Sequence, residues 1–141
     1  MLRRSAVLTL GLLAIVALLG ALACSSGAST LEGTHWRLKA WTLSSLNPAD
    51  FTITAQFAGG QISGSSAVNT YDGPVKLGPG SAFSAGPLAT TMMAGPEPAM
   101  RAESAFAKLL GAAKSFKVSS STLTLYDGGG NKSLVFEAVG K

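Results

Sequence analysis

Few residues in this chain could perform chemistry. Among its 141 residues there is one histidine, His35, and one cysteine, Cys24. A Ser-His-Asp arrangement could be built only around His35, and a multi-histidine zinc site would lack a second ligand of that type. His35 directly precedes Trp36 in an alternating segment, so we expect it to be a strand residue. The sequence predicts a protein that is not an enzyme and that uses no metal or cofactor.

The carboxylates and the glycine-rich segment provide no better catalytic arrangement. Most of the seven acidic residues fall in predicted turns or in the predicted helix, where solvation and capping account for them: Asp50, Asp72, Glu97, Glu103 and Asp127. Residues 127–133, Asp-Gly-Gly-Gly-Asn-Lys-Ser, superficially resemble a phosphate-binding loop. The segment has no glycine directly before Lys-Ser and no helix follows it. It therefore predicts a hairpin turn.

Four residues are the best candidates for a ligand or partner surface. Asn69 and Tyr71 lie between two predicted turns, and Met92 and Met93 lie in an apolar loop that is poor in strand formers. Alternatively, Asn69 bonds to the local backbone and Tyr71 packs at a sheet edge. The methionines could line a groove or fill the core beneath the helix, and we expect at least one of them to be in the core.

One helix and a set of short strands must position these residues. Residues 96–115 begin with prolines and glutamates suited to a first turn, and apolar residues follow at helical spacing: Ala99, Ala102, Phe106, Leu109, Leu110 and Ala113. Residues 35–43 alternate, with Trp36, Leu38 and Ala40 on one face. Further strands are predicted around residues 51–57, 61–63, 75–77, 81–85, 116–118, 122–126 and 133–138, with turns at 58–60, 71–74, 78–80 and 127–131. We expect an α+β fold, a curved antiparallel sheet (a partly open barrel) of about seven to eight short strands wrapped around one helix.

The first thirty residues indicate export. Arg3 and Arg4 precede an uncharged apolar run over residues 6–22, and small residues precede Cys24. This arrangement resembles the lipobox of bacterial lipoproteins. It predicts a signal peptide over residues 1–23, a lipidated flexible tether over residues 24–30 and a domain over residues 31–139. An uncleaved transmembrane anchor and an ordinary secretory cleavage site are the alternatives. Ser25 resembles the outer-membrane sorting pattern, so we expect a cell-envelope protein facing the periplasm.

The charge of the domain argues against a nucleic-acid partner. The chain has 11 Lys and Arg against 7 Asp and Glu, but Arg3 and Arg4 belong to the leader. The remaining lysines are scattered, with no interleaved aromatic residues. We expect a monomer that reaches the membrane through lipid on Cys24, with an envelope protein or an apolar ligand as its partner.

Three segments, taken in order, resemble a known family. They are residues 31–38 (Leu-Glu-Gly-Thr-His-Trp-Arg-Leu), residues 64–73 (Gly-Ser-Ser-Ala-Val-Asn-Thr-Tyr-Asp-Gly) and residues 88–96 (Leu-Ala-Thr-Thr-Met-Met-Ala-Gly-Pro), after which Glu103 and Phe106 also fit. The pattern resembles the META-domain family, the HslJ-like heat-shock lipoproteins. The resemblance covers about residues 31–138. It implies a curved sheet around a helix, in an envelope protein associated with stress and antibiotic tolerance, and it implies no particular reaction.

Two departures from the family pattern occur together. The family often has cysteine where this chain has Val68 and Gly95. A single leftover thiol would be a liability in an oxidising compartment, so the joint loss predicts that these positions face one another. Asn69 and Ala94 should then be neighbours. Met92 also replaces a residue that is often basic in the family.

The resulting functional hypothesis is a lipid-anchored, non-enzymatic binding or stress-tolerance module. The alternative is a carrier or pilotin-like module that binds an acyl chain or an apolar peptide in a groove beside the helix. A cavity lined by Met92, Met93, Phe83 and Phe106 would favour the carrier. A filled core would favour recognition at the surface.

Overall fold

A computed structural model describes residues 31–42 and 45–140 of the chain. The predicted leader, Cys24 and the predicted tether lie outside the described residues. The described part contains one α-helix, α1 (Glu97–Ala112), and nine strands. The strands are β1 (Thr34–Trp41), β2 (Thr54–Ala58), β3 (Gln61–Ser65), β4 (Thr70–Gly78), β5 (Ala82–Ala85), β6 (Ala89–Thr90), β7 (Ala113–Ser119), β8 (Thr122–Asp127) and β9 (Lys132–Ala138).

Eight of these strands form a closed antiparallel barrel. Neighbours follow the order β3-β2-β1-β9-β8-β7-β5-β4, and pairing between β3 and β4 completes the ring. The ninth strand, β6, pairs with β4 outside the ring. The predicted α+β fold with a curved antiparallel sheet and one helix is confirmed. The barrel is closed rather than partly open because β4 is long enough to pair with β3 along one edge and with both β5 and β6 along the other.

The two ends of the barrel are different. At one end, here called the entry end, the chain enters at Leu31, and the Gly33 N–H donates to the Phe57 carbonyl at 2.8 Å. The opposite end, here called the helix end, holds the connection between β3 and β4 (residues 66–69), the turn between β8 and β9, and α1. Helix α1 starts beside that connection and passes directly into β7, so both of its termini lie at the helix end.

The predicted stripe of α1 is confirmed as core. Its buried residues are Ala102, Phe106, Leu109 and Leu110. The Phe106 ring makes edge contacts with Tyr71, at 5.4 Å between ring centroids, and with Phe136, at 6.5 Å. Burying a phenylalanine contributes about 2 to 3 kcal/mol, and edge contacts between rings add to that. The helix ends at Ala112, three residues before the predicted end, because β7 begins at once.

Two strand predictions are wrong in detail. The segment from Tyr71 to Pro74 lies within the first half of β4 and is not a turn. A Cβ atom on Gly73 would lie 2.7 Å from the carbonyl oxygen of Pro87, so this glycine allows a close backbone approach inside a strand. Ala40 is exposed instead of sharing the inner face, because the register between β1 and β9 shifts after Leu38.

Candidate functional site

Tyr71, one of the predicted surface residues, belongs to the core. Its side chain is 3 % exposed, its hydroxyl donates to the Thr54 carbonyl at 2.8 Å, and its ring contacts Phe106. Burial raises the pKa of the Tyr71 hydroxyl well above its usual range. The alternative prediction of packing at a sheet edge is also wrong, because the ring points into the barrel beneath α1. Tyr71 therefore supports the fold.

Asn69 is buried as well, and it holds the loop that carries the methionines. Its Oδ1 accepts from the Met93 N–H at 2.7 Å and from the Thr91 hydroxyl at 2.8 Å. Its Nδ2 donates to the Met93 carbonyl at 3.1 Å. The predicted bonds to local backbone are therefore replaced by bonds to a segment more than 20 residues away. One amide side chain therefore holds both backbone groups of Met93 and the hydroxyl of Thr91.

Glu103 of α1 in turn holds Asn69. Its carboxylate accepts from the Ser66 hydroxyl at 2.6 Å, from the Asn69 N–H at 3.0 Å and from Asn69 Nδ2 at 2.9 Å. Partial burial alone would raise the pKa of the Glu103 carboxyl, but the hydrogen bonds from Ser66 and Asn69 outweigh it, so the pKa lies below its ordinary value. The ion pairs seen among the described residues do not involve Glu103, so hydrogen bonds account for the lowering. One network of hydrogen bonds therefore runs through Glu103, Ser66 and Asn69. It joins the helix to the connection between β3 and β4 and to the loop that carries the methionines.

Met92 and Met93 project outward above this network. They are 96 % and 62 % exposed, so the expectation that at least one of them fills the core is wrong. The physical reason is the pair of bonds from Asn69 to the Met93 backbone, which turns the Met93 peptide groups toward the barrel. An open hollow of about 360 Å³ lies beside these side chains. We call Thr90, Met92, Met93, Ala94 and Met100, which line it, the methionine surface.

The predicted contact between Val68 and Gly95 is confirmed. A Cβ atom built on Gly95 would lie 3.5 Å from the Cβ of Val68 and 2.8 Å from its Cγ2. The valine side chain therefore occupies the space that a side chain at residue 95 would need. The Asn69 bonds to Met93, next to Ala94, confirm the predicted proximity of these two segments.

The residues proposed to line a carrier cavity do not come together. Phe83 and Phe106 are 2 % and 1 % exposed within the core, whereas both methionines face solvent. A separate hollow of about 440 Å³ lies toward the entry end, between the turn that joins β2 to β3 and the last residues of β4. Beneath α1 the rings of Tyr71, Phe106 and Phe136 are 1 to 3 % exposed and contact one another, and such packing favours recognition at the surface over a carrier cavity.

The remaining chemical candidates do not form a second site within residues 31–42 and 45–140. No group of three His, Cys, Asp or Glu side chains there is arranged to hold a metal ion. Asp127 accepts from the backbone and side chain of Asn131 and from the Gly129 N–H, which lowers its pKa and closes the predicted hairpin turn. None of the helices in this part of the chain has the length and hydrophobicity that a membrane crossing requires.

Sequence reasoning missed the role of Ser66 and Glu103. Glu103 was expected only to favour the start of the helix, although it also fits the family pattern that includes Asn69. The bonds that join Glu103 to Ser66 and Asn69 span 37 and 34 positions along the chain. The periodicity of a local segment does not indicate contacts between residues so far apart in the chain. The family pattern was the only signal that connected these residues.

Comparison with known proteins gives a family and a fold. The family model described as META domain matches residues 29–140. A structure titled "NMR structure of the protein from Burkholderia xenovorans" is 26 % identical with a TM-score of 0.68, and the alignment covers 82 % of this chain and 88 % of that one. A crystal structure of a DUF4847 family protein from Bacteroides vulgatus shares the fold at 13 % identity and a TM-score of 0.56, with 77 % and 94 % covered. No curated protein matches the chain.

Proposed function

We propose that this chain, which belongs to the META-domain family, is a lipid-anchored, non-enzymatic binding module of the bacterial cell envelope that acts through its methionine surface. Its role would be to bind an envelope partner and so support the envelope under stress. One observation carries the proposal. Two methionines are largely exposed on a loop whose backbone is fixed from below by a buried asparagine and a hydrogen-bonded glutamate.

A fixed apolar surface is suited to binding for an energetic reason. Exposed methionines are flexible, polarizable side chains that adapt to different apolar partners. A loop that is already ordered loses little conformational entropy when a partner binds to it. The Asn69 bonds hold the Met93 backbone and the Thr91 hydroxyl, and the Thr91 N–H donates to the Thr70 carbonyl, while the side chains of Met92 and Met93 remain free to adapt.

The chemistry of the described residues supports a role in binding over one in catalysis. The described groups with shifted pKa values are Tyr71, Glu103 and Asp127. The Tyr71 hydroxyl is buried in the core, the Glu103 carboxylate is committed to three hydrogen bonds, and Asp127 closes a turn. Glu103 does hold the hydroxyl of Ser66, but Ser66 is only 3 % exposed, so this hydroxyl is not accessible to a substrate. None of the three groups is paired with an accessible nucleophile or with a second titrating group, as is typical of an active site.

Anchoring by lipid is supported by the sequence of the leader. The basic start, the apolar run and the placement of the sole cysteine at its end fit a lipoprotein signal. The lipobox resemblance implies a diacylglyceryl group on the Cys24 sulfur, which would supply two acyl chains, and stable attachment needs at least two membrane-binding signals. The proposed location is the periplasmic face of the outer membrane.

The anchoring part is tested by fractionating cells that express the wild type or Cys24→Ala. We expect the wild type in the membrane fraction and the variant released from it. A Ser25→Ala variant, which keeps the cysteine, is the matched control and should remain with the membrane. If Cys24→Ala also stays with the membrane, the leader is an uncleaved anchor and the lipid is not what holds the protein.

The binding part is tested by photo-cross-linking in the native host. The light-activated amino acid p-benzoylphenylalanine replaces Met92 in one strain and Val139 in another. Val139 is the matched control because it is apolar, 41 % exposed and near the entry end. We expect a discrete cross-linked envelope product from position 92 alone. The absence of any product at position 92, or the same products from both positions, would refute the proposed surface.

A further inference from the structure

Strand β6, which lies beneath the methionine surface, is paired along one edge and unpaired along the other. Strand β6 pairs with β4 through Thr90 opposite Tyr71 and Ala89 opposite Asp72. The Thr91 N–H continues this pairing by donating to the Thr70 carbonyl at 3.1 Å. Among the described residues no strand pairs with the other edge of β6.

The alternation of hydrogen bonds shows which peptide groups are free. The N–H groups of Thr91 and Met93 both point toward the barrel, to the Thr70 carbonyl and to Asn69. In an extended segment successive peptide groups point in opposite directions, so those of Thr90 and Met92 point away from it. Residues 89–93 therefore present a short row of outward main-chain donors and acceptors.

This edge lacks the charges that usually protect exposed strands. Natural edge strands are commonly blocked by lysine or by an inward charge. Here no charged residue occurs from Leu77 to Pro96, and Met92, one of the two residues whose peptide groups point outward, is 96 % exposed. Pro87 and Pro96 bracket the segment and limit the length over which another strand could pair.

We propose that this free edge binds an extended apolar segment of a partner protein, which adds to β6 as a further strand and packs its side chains on the methionine surface. The inference rests on the proposed binding role and specifies the form of the partner. Strand addition supplies main-chain hydrogen bonds for affinity, and pockets for alternate side chains supply specificity. The hollow of about 360 Å³ beside Met92, Met93 and Met100 receives those side chains.

The charged residues around the free edge of β6 indicate a further property of the partner segment. Asp72 is exposed on β4 opposite Ala89, and Glu97 is exposed at the start of α1. Glu97 is already paired with Arg101 at 3.5 Å, whereas Asp72 makes no ion pair among the described residues. The unpaired Asp72 carboxylate beside an apolar edge favours a partner segment that carries lysine or arginine at one end.

The test starts from a displayed library of random peptides of about eight residues, a length that covers an average strand. The full-length protein, held in lipid nanodiscs, is the target. We expect enriched peptides to alternate apolar and polar residues, to carry a basic residue at one end and to lack proline in the middle. Failure of any sequence to enrich would overturn the proposal.

The binding site of an enriched peptide is then located by amide hydrogen exchange and by substitution. Binding should slow exchange at Thr90 and Met92, the two outward amides. Met92→Lys, which adds the missing edge charge, should weaken binding by about tenfold or more, as expected for loss of a central contact. Val139→Lys is the matched control and should leave affinity unchanged. Slowed exchange elsewhere, or equal effects of both variants, would overturn the proposal.

Two outcomes separate this inference from the function on which it rests. A cross-link at position 92 together with no peptide protection at Thr90 and Met92 would leave the binding role standing and refute strand addition. Slowed exchange at these amides with empty nanodiscs and no peptide would assign the edge to a lipid surface, which also overturns the proposal.

Discussion

Replacing Glu103 with glutamine should destabilise the domain far more than its partly exposed position suggests. The carboxylate accepts three hydrogen bonds, from the Ser66 hydroxyl and from two nitrogen atoms of Asn69. A glutamine keeps one acceptor oxygen, and its amide nitrogen must face one of the Asn69 donors whichever way it is turned. Loss of a charge-assisted hydrogen bond costs about 1.5 to 3 kcal/mol, so we expect Glu103→Gln to lower the free energy of unfolding by about that amount.

Glu97→Gln is the matched control. Glu97 lies on the same helix, but it is exposed and makes only a surface ion pair with Arg101 at 3.5 Å. Exposed pairs of this kind contribute at most about 1 kcal/mol and commonly less than half of that. Urea unfolding of the domain from residue 29, followed by the fluorescence of Trp36 and Trp41, measures both variants in the same way.

The pH dependence gives a second, independent readout. The pKa of Glu103 is lowered in the folded protein, so its ionised form stabilises the fold. This contribution is fully present above its ordinary pKa of 4.5 and is lost as the pH falls through the lower folded-state value. The difference in unfolding free energy between the wild type and Glu103→Gln should therefore be constant near neutral pH and shrink in acid. A difference below about 0.5 kcal/mol at pH 7, or one that does not change with pH, would refute the reasoning.

Two further predictions concern α1 and the segment that leads into it. Phe106→Ala should lower the free energy of unfolding by about 3 to 5 kcal/mol because it leaves a cavity beneath the helix. Lys108→Ala, on the exposed face of the helix, is the control and should change this free energy by less than about 0.5 kcal/mol. Similar values for both variants in urea unfolding would mean that the helix face is misassigned. Introducing cysteine at both Val68 and Gly95 should produce a disulfide, because a Cβ atom at residue 95 would lie 3.5 Å from that of Val68. Mass spectrometry should show the loss of two hydrogens, and oxidation should stabilise the variant by about 3 to 4 kcal/mol; free thiols after oxidation would contradict the geometry.

Much of the architecture could be predicted because it rests on local periodicity. The stripe through Ala102, Phe106 and Leu110 repeats at helical spacing, and it is buried as expected. The turn at Asp127 was predicted from its glycines, and the hairpin forms there. The closed ring could not be predicted, since closure depends on pairing between strands that are distant along the chain.

The errors have specific physical causes. Gly73 and Pro74 are turn formers by composition, yet they lie inside β4, where the glycine leaves room for the backbone of Pro87. The apolar character of Met92 and Met93 predicts that at least one of them fills the core beneath the helix, yet both face solvent. They are exposed because Asn69 captures the Met93 backbone, and hydropathy does not register a hydrogen bond of that kind.

The separation of the entry end from the helix end also determines how far the methionine surface lies from the point at which the chain enters the barrel. The chain enters the barrel at Leu31, which is completely buried, and the methionine surface lies at the opposite end. Strand β1 spans eight residues between these ends. At about 3.3 Å per residue and a tilt of about 40°, that is a height of roughly 20 Å. The barrel thus places the methionine surface about one barrel height away from the point at which the chain enters it.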